Sequence, residues 1–264
     1  MSKNHPTTLR GLFVFILFFV CLGKAWSHQI ALRHQYWWLK GPEVKSWRQD
    51  LLTEWNLNQK NTLLADTSHF ERFKFEERVI RIGWRQQTAI GYWELTHADG
   101  GANRILAIRD SQITYGQALT RGLSGWLNLK AQGYSTNDLH MLTMGLEKEW
   151  QGGFFVVPFL SLGRASFSRP ADTRDVWAAQ IKVGTYREGR WKLAPFLAQG
   201  EEYQALIALN QTTALKATTY GMSGDYYLTP FLKAGILLER NYYPAINTRF
   251  ESAQLLLTYD WGRP

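Results

Sequence analysis

The side chains that could carry chemistry in this chain are sparse, and their spacing argues against catalysis. Beyond the first 27 residues the histidines are His28, His34, His69, His97 and His140. A hydrolase needs a nucleophile and a base within hydrogen-bond reach of each other. Ser68 and His69 are adjacent, so on an extended segment they point to opposite faces and cannot form such a pair. Asp138 and His140 are two residues apart and share a face, an arrangement of acid and base that can activate water. The same parity carries Leu142, Met144 and Leu146. That turns the pair away from the polar side, so a solvated contact at the start of a strand is its simpler role. His34 and His97 fall on separate segments with no spacing that suggests a metal. On these grounds no catalytic, cofactor-binding or metal-ligating residue is assigned, and no cofactor is expected.

A second polar set is more regular. Arg48, Asp50, Glu54, Arg81, Arg85, Lys130, Glu147, Glu149, Lys182, Lys233 and Glu239 sit among apolar residues at a period of two. In 46–57, Trp47, Leu51, Thr53, Trp55 and Leu57 oppose Arg48, Asp50, Glu54 and Asn56. In 77–86, Ile80, Ile82 and Trp84 oppose Arg81, Gly83 and Arg85, and in 122–134, Leu127, Leu129 and Ala131 oppose Trp126, Asn128, Lys130 and Gln132. Trp177, Ala179, Ile181 and Val183 oppose Gln180 and Lys182, while Leu232, Ala234, Ile236 and Leu238 oppose Lys233, Gly235 and Glu239. Strand side chains alternate between faces, so charges of both signs gather on one surface of a sheet and apolar groups on the other. If the sheet closes, the charged surface is the lumen. There it either lines a channel or pairs across the interior and fills it.

The elements that must position these residues are strands. Alternating segments are predicted at 28–40, 46–57, 61–70, 77–86, 88–97, 104–118, 122–134, 138–150, 153–167, 175–186, 190–200, 212–225, 230–242 and 247–261. Tight connections fall at Asn58 to Lys60, Gln86 and Gln87, Leu119 to Arg121, Gln151 and Gly152, Arg187 to Gly189 and before Pro230. Longer ones lie between them, at Ala98 to Asn103, Ser168 to Arg174 and Glu201 to Gln211. Short turns on one side and longer loops on the other, with both termini together, fit an even-stranded barrel. The segments have the length a tilted membrane strand needs, and Trp and Tyr gather at their ends as in an interfacial belt. A β-sandwich would put large aromatics in strand middles, packed as a core. The fold class expected is therefore all-β, an antiparallel transmembrane β-barrel of about 14 strands, with 12 as the alternative.

Composition agrees with that pattern. Mean hydropathy is −0.29, as expected when the apolar half is hidden in alternate positions. Lys3 and Arg10 precede the apolar run Leu12 to Leu22, and Ala25-Trp26-Ser27 forms an A-x-A-like cleavage site, so residues 1–27 are expected to be a signal peptide and 28–264 the barrel. The sole cysteine, Cys21, would leave with the signal, excluding disulfides and thiolate metal sites. The 30 basic residues face 22 acidic ones, scattered singly rather than clustered on one element with aromatics, which argues against nucleic acid as a partner.

Across the mature chain the sequence resembles the YaiO-like outer-membrane β-barrel family. The resemblance is carried by Tyr36-Trp37-Trp38, Glu71-Arg72-Phe73 leading to Glu77-Arg78, Ile113-Thr114-Tyr115-Gly116, Gly152-Gly153-Phe154 and the closing Leu255 to Trp261. It implies the outer membrane of a Gram-negative bacterium, with lipid, lipopolysaccharide and the barrel-insertion machinery as partners, and a link to exopolysaccharide. It supplies no catalytic residues. One departure is that Gly262-Arg263-Pro264 follow Trp261, where many such barrels end on an aromatic. The function expected is a narrow pore or envelope accessory in polysaccharide export. An outer-membrane hydrolase at the barrel rim and a closed structural barrel are the alternatives.

Mass spectrometry of the folded protein is expected to find a chain that starts near His28. An intact Met1 to Ser27 segment would remove the leader from this picture.

Overall fold

The computed structural model describes residues 28–39, 45–72, 75–101, 103, 106–135, 137–168, 171–202 and 215–261. The expected signal 1–27 and most of the connection expected at Glu201 to Gln211 lie outside the described residues. The strands are β1 (His28–Leu39), β2 (Lys45–Asn56), β3 (Asn61–Arg72), β4 (Phe75–Gln87), β5 (Gly91–Asp99), β6 (Arg109–Thr120) and β7 (Leu123–Gly133). They continue as β8 (Asn137–Trp150), β9 (Phe154–Ser168), β10 (Ala171–Arg187), β11 (Trp191–Glu202), β12 (Leu215–Thr229), β13 (Leu232–Tyr243) and β14 (Thr248–Trp261). Each pairs with its neighbours in sequence, and β1 pairs antiparallel with β14, closing a barrel of fourteen strands. Closure leaves no edge whose N–H and C=O groups would need water.

One end of the barrel holds the start of β1, the end of β14 and the tight reversals. Gly122 and Gly153 adopt positive φ there, 68° and 76°, conformations glycine reaches without a Cβ clash. The reversal expected at Gln86 and Gln87 comes later. Both glutamines still pair with β5, and the chain turns at 88–90, where Thr88 Oγ1 accepts the Gly91 N–H at 3.1 Å. At the opposite end, the loop expected over Ser168 to Arg174 is instead mostly strand, with β9 and β10 paired out to Ser168 and Ala171. Continued pairing satisfies backbone groups that a loop would leave open. The segment expected from 104 becomes a strand only at Arg109. The preceding stretch is held otherwise: the Leu106 N–H donates to Glu77 Oε2 at 2.7 Å and Asn103 Nδ2 to the Arg78 carbonyl at 3.1 Å.

Alternation then sorts the side chains. Ile80, Ile82 and Leu255 are 63%, 61% and 61% exposed on the outside. One register row carries Leu63, Trp84, Leu95, Ile113, Leu129, Leu142 and Leu162 across seven successive strands. Rows run across tilted strands and therefore wind around the barrel, so this one forms part of an apolar belt. Arg240, a charge on the outer parity, lies near the end of β13, where it pairs with Glu251 and donates to the Tyr220 hydroxyl at 3.2 Å.

A charge placed in the belt is expected to cost about 2–4 kcal/mol at the middle of a bilayer. Ile82→Lys should therefore fold into vesicles poorly while Gln180→Lys, on the inner face and outside the ion-pair chain, folds well, as read from heat-modifiable mobility on gels. Equal folding of the two would reverse the inside and outside assignment.

Candidate functional site in the barrel lumen

The inward faces of β1 to β7 carry a chain of ion pairs. Asp50, 4% exposed, accepts from Arg48 Nε at 2.6 Å and from Arg33 Nη1 at 3.4 Å, and Arg48 also reaches Ser68 Oγ at 2.9 Å. Arg81 sits 3.0 Å from Asp66 and 3.6 Å from Asp110, and Lys130 lies 3.7 Å from Asp110. Gln132 Nε2 donates to the same Asp110 at 3.0 Å. Arg85 links Glu54 at 3.1 Å to Glu94 at 2.8 Å. These contacts join residues of the same strand or of strands one or two places apart. They run along the wall.

The inward faces of β7 to β13 are different. Lys192 pairs with Glu147 at 3.2 Å, Lys233 lies 4.0 Å from Asp225, and Glu239 accepts from Ser252 at 3.0 Å. Lys182 has no carboxylate within ion-pairing distance among the described residues. Aromatic rings project here too. A single register row reads Tyr92, Gly116, Trp126, Gly145, Phe159 over β5 to β9, and Phe155 faces Gly184 while Phe196 faces Gly221. Tyr92, Trp126, Phe155 and Phe196 each take the place a glycine Cβ would need. A Cβ on Gly116 would meet Tyr92 at 2.4 Å, and one on Gly145, Gly184 or Gly221 would meet Trp126, Phe155 or Phe196 at 2.5 Å. The rings thus lie over the neighbouring strand.

Near the end opposite the start of β1, an apolar cluster of Tyr134, Leu139, Ala165, Phe167 and Val176 lines the inside of the mouth, with Ala107 packed against it. The tucked segment before β6 supplies that alanine.

The histidines lie elsewhere. Ser68 faces inward onto Arg48, and His69 faces outward onto Trp47, with ring centroids 4.9 Å apart. Asp138 and His140 are exposed on the outer face. His97 Nδ1 and Ser111 Oγ are 2.9 Å apart on that same face, a cross-strand pair that sequence spacing could not reveal. Among the described residues no carboxylate hydrogen-bonds this imidazole, so a nucleophile and base stand without the third group that orients such pairs. No group of three or more His, Cys, Asp or Glu that could hold a metal occurs among the described residues.

All eleven charged lumen candidates lie on the inner parity: Arg48, Asp50, Glu54, Arg81, Arg85, Lys130, Glu147, Glu149, Lys182, Lys233 and Glu239. Their partners Arg33, Asp66, Glu94, Asp110, Lys192 and Asp225 are further inward charges. Each obeys the same period-two parity on β1, β3, β5, β6, β11 or β12, and applying the rule to those strands would have found them.

No known family model and no curated protein matches the chain. Solved structures do match its fold. A bacterial polysaccharide outer membrane secretin superposes with a TM-score of 0.58 at 10% identity, covering 89% of this chain and 98% of that one. A loop L8 deletion mutant of OmpT, an outer membrane protein of Vibrio cholerae, gives 0.52 at 7% identity over 89% and 98%. The KdgM porin, solved with disordered oligogalacturonate, gives 0.50 at 8% over 89% and 99%. Identities this low establish the fold, which is that of outer-membrane β-barrels.

Removing the carboxylate of Asp50 leaves two guanidinium groups without their shared partner. Asp50→Asn is expected to lower stability by about 1.5–3 kcal/mol in urea titrations of the folded barrel, and Asn128→Ala by less. A second expectation concerns the outer face: Ser111→Ala and His97→Ala should leave the protein's phenotype in cells unchanged. Lipid hydrolysis by the purified barrel that disappears in both variants would establish an enzyme instead.

Proposed function

We propose that this protein is an outer-membrane channel of narrow bore, serving exopolysaccharide export. The observation that carries the channel reading is the direction of the ion pairs. In a fourteen-strand barrel the opposite wall is seven strands away, whereas Arg33, Arg48, Arg81, Arg85 and Lys130 find their acids within two strands. The widest described pairing, Lys192 with Glu147, spans β11 and β8. Charges satisfied along the wall leave the axis to solvent, where charges paired across it would close the bore.

With the start of β1 and the end of β14 at the end bearing tight turns, that end faces the periplasm and the longer connections face outward. The polysaccharide link draws support from the YaiO-like resemblance and from the fold shared with a polysaccharide secretin.

Planar-bilayer recording tests this. Discrete conductance steps are expected from the folded protein. Arg81→Gln with Arg85→Gln should shift ion preference towards cations, because two inward positive charges are lost from the wall. A folded, inserted barrel that passes no current would make it a closed structural barrel.

A further inference from the structure

The interior of a membrane barrel is ordinarily polar, and the rings along β5 to β11 depart from that rule. Tyr92, Trp126 and Phe159 occupy alternate strands of one register row, with glycines between them. Strands lie about 4.8 Å apart, so the backbone positions that bear successive rings stand roughly 10 Å apart on a line that winds up the wall, and the side chains lean together across that gap. Trp126 and Phe159 have centroids 6.1 Å apart, and beyond them Phe155, fully buried, packs against Tyr186 at 6.2 Å. Shielding of the glycine backbone explains why each ring lies over its neighbour strand. It does not explain the cations placed among them.

Lys192 Nζ stands 4.1 Å from the Phe155 centroid, and Lys182 is the direct register partner of Phe196. Trp126 and Phe196 lie over Gly145 and Gly221, and both rings, like Phe159, are only partly buried, which leaves part of each open to the bore. Beside Phe196, Lys182 has donors that no carboxylate in ion-pairing distance satisfies among the described residues, and an ammonium offers three. A ligand that fits must present flat C–H faces at intervals, hydroxyl groups at its edges and negative charge. Those are the properties of an acidic oligosaccharide.

We propose that the rings Trp126, Phe159 and Phe196, together with Lys182, form a binding track for acidic oligosaccharides along the lumen wall. This rests on the channel reading and adds to it the class of solute and the side chains that select it. Sugar rings stack on the exposed aromatic faces, and Lys182 takes a carboxylate. Because the contacts repeat along the wall, a chain can pass from one to the next without leaving the track.

The test uses the full-length mature barrel with a hexameric oligouronate and a neutral glucan hexamer as probes. Both are expected to interrupt the ion current, the oligouronate at lower concentration. Phe159→Leu combined with Phe196→Leu keeps apolar cover but loses the ring faces. It should weaken both blocks by about tenfold, about 1.4 kcal/mol over the two lost ring faces. Lys182→Gln should abolish the preference for the acidic sugar and leave the neutral block intact. A conducting channel that neither sugar blocks, or block that is equal in the leucine variant, would overturn the track. Calorimetry on the detergent-folded barrel separates this from the channel reading. Sugar binding without any current would sink the channel alone, and current without sugar binding would sink the track alone.

Discussion

The constraint on which the rest of the structure depends is that every strand must pair on both sides. Pairing of β1 with β14 removes the last edge, and from then on the register of each strand is fixed by two neighbours. A slip of one residue would send every apolar side chain of that strand inward and every charge outward. Ile82 and Arg81 are adjacent in sequence, yet one stands 61% exposed in the outer belt and the other is held by Asp66 and Asp110 inside. The penalty for reversing them stabilises the register, and the register in turn places the lumen charges against their partners.

Two walls of unlike chemistry follow from that register. On β1 to β7 the inward charges lie in one another's reach and are neutralised locally, with Asp50 and Asp110 each serving two cations. Such pairs gain little over separate hydration, but breaking one strands the rest, which makes this wall stiff. On β7 to β11 rings laid over glycine and sparsely paired lysines stand among the inward residues. Without the glycines the rings could not lie down, since a Cβ on Gly145 would fall 2.5 Å from Trp126. The glycines therefore shape the interior as much as the large side chains do.

Much of this was legible in the sequence, because alternation at a period of two is local. The fourteen strands and the outward Ile82, Leu129, Ile181 and Leu255 needed only each strand's own residues. Turn positions were less legible: whether Gln86 ends a strand or begins a turn depends on Thr88 Oγ1 closing the next step. The pairings were not legible at all. That Arg85 would meet Glu54 as well as Glu94, that Ser111 would face His97, and that Tyr92, Gly116 and Trp126 would share a row are set by cross-strand register. Register emerges only once hairpin lengths are summed around the barrel.

The central claim is a water-filled lumen whose wall is defined by strand alternation. The chain's sole cysteine, Cys21, precedes the barrel, so single cysteines can be placed along β7 and β10 without interference. Labelling by a membrane-impermeant thiol reagent measures water access at each position of the inserted protein. Asn128→Cys, Lys130→Cys and Gln180→Cys are expected to label, and Leu127→Cys, Leu129→Cys and Ala179→Cys to stay protected, a pattern of period two. Protection at every position would mean a filled interior, and labelling without alternation would contradict the barrel's inside and outside altogether.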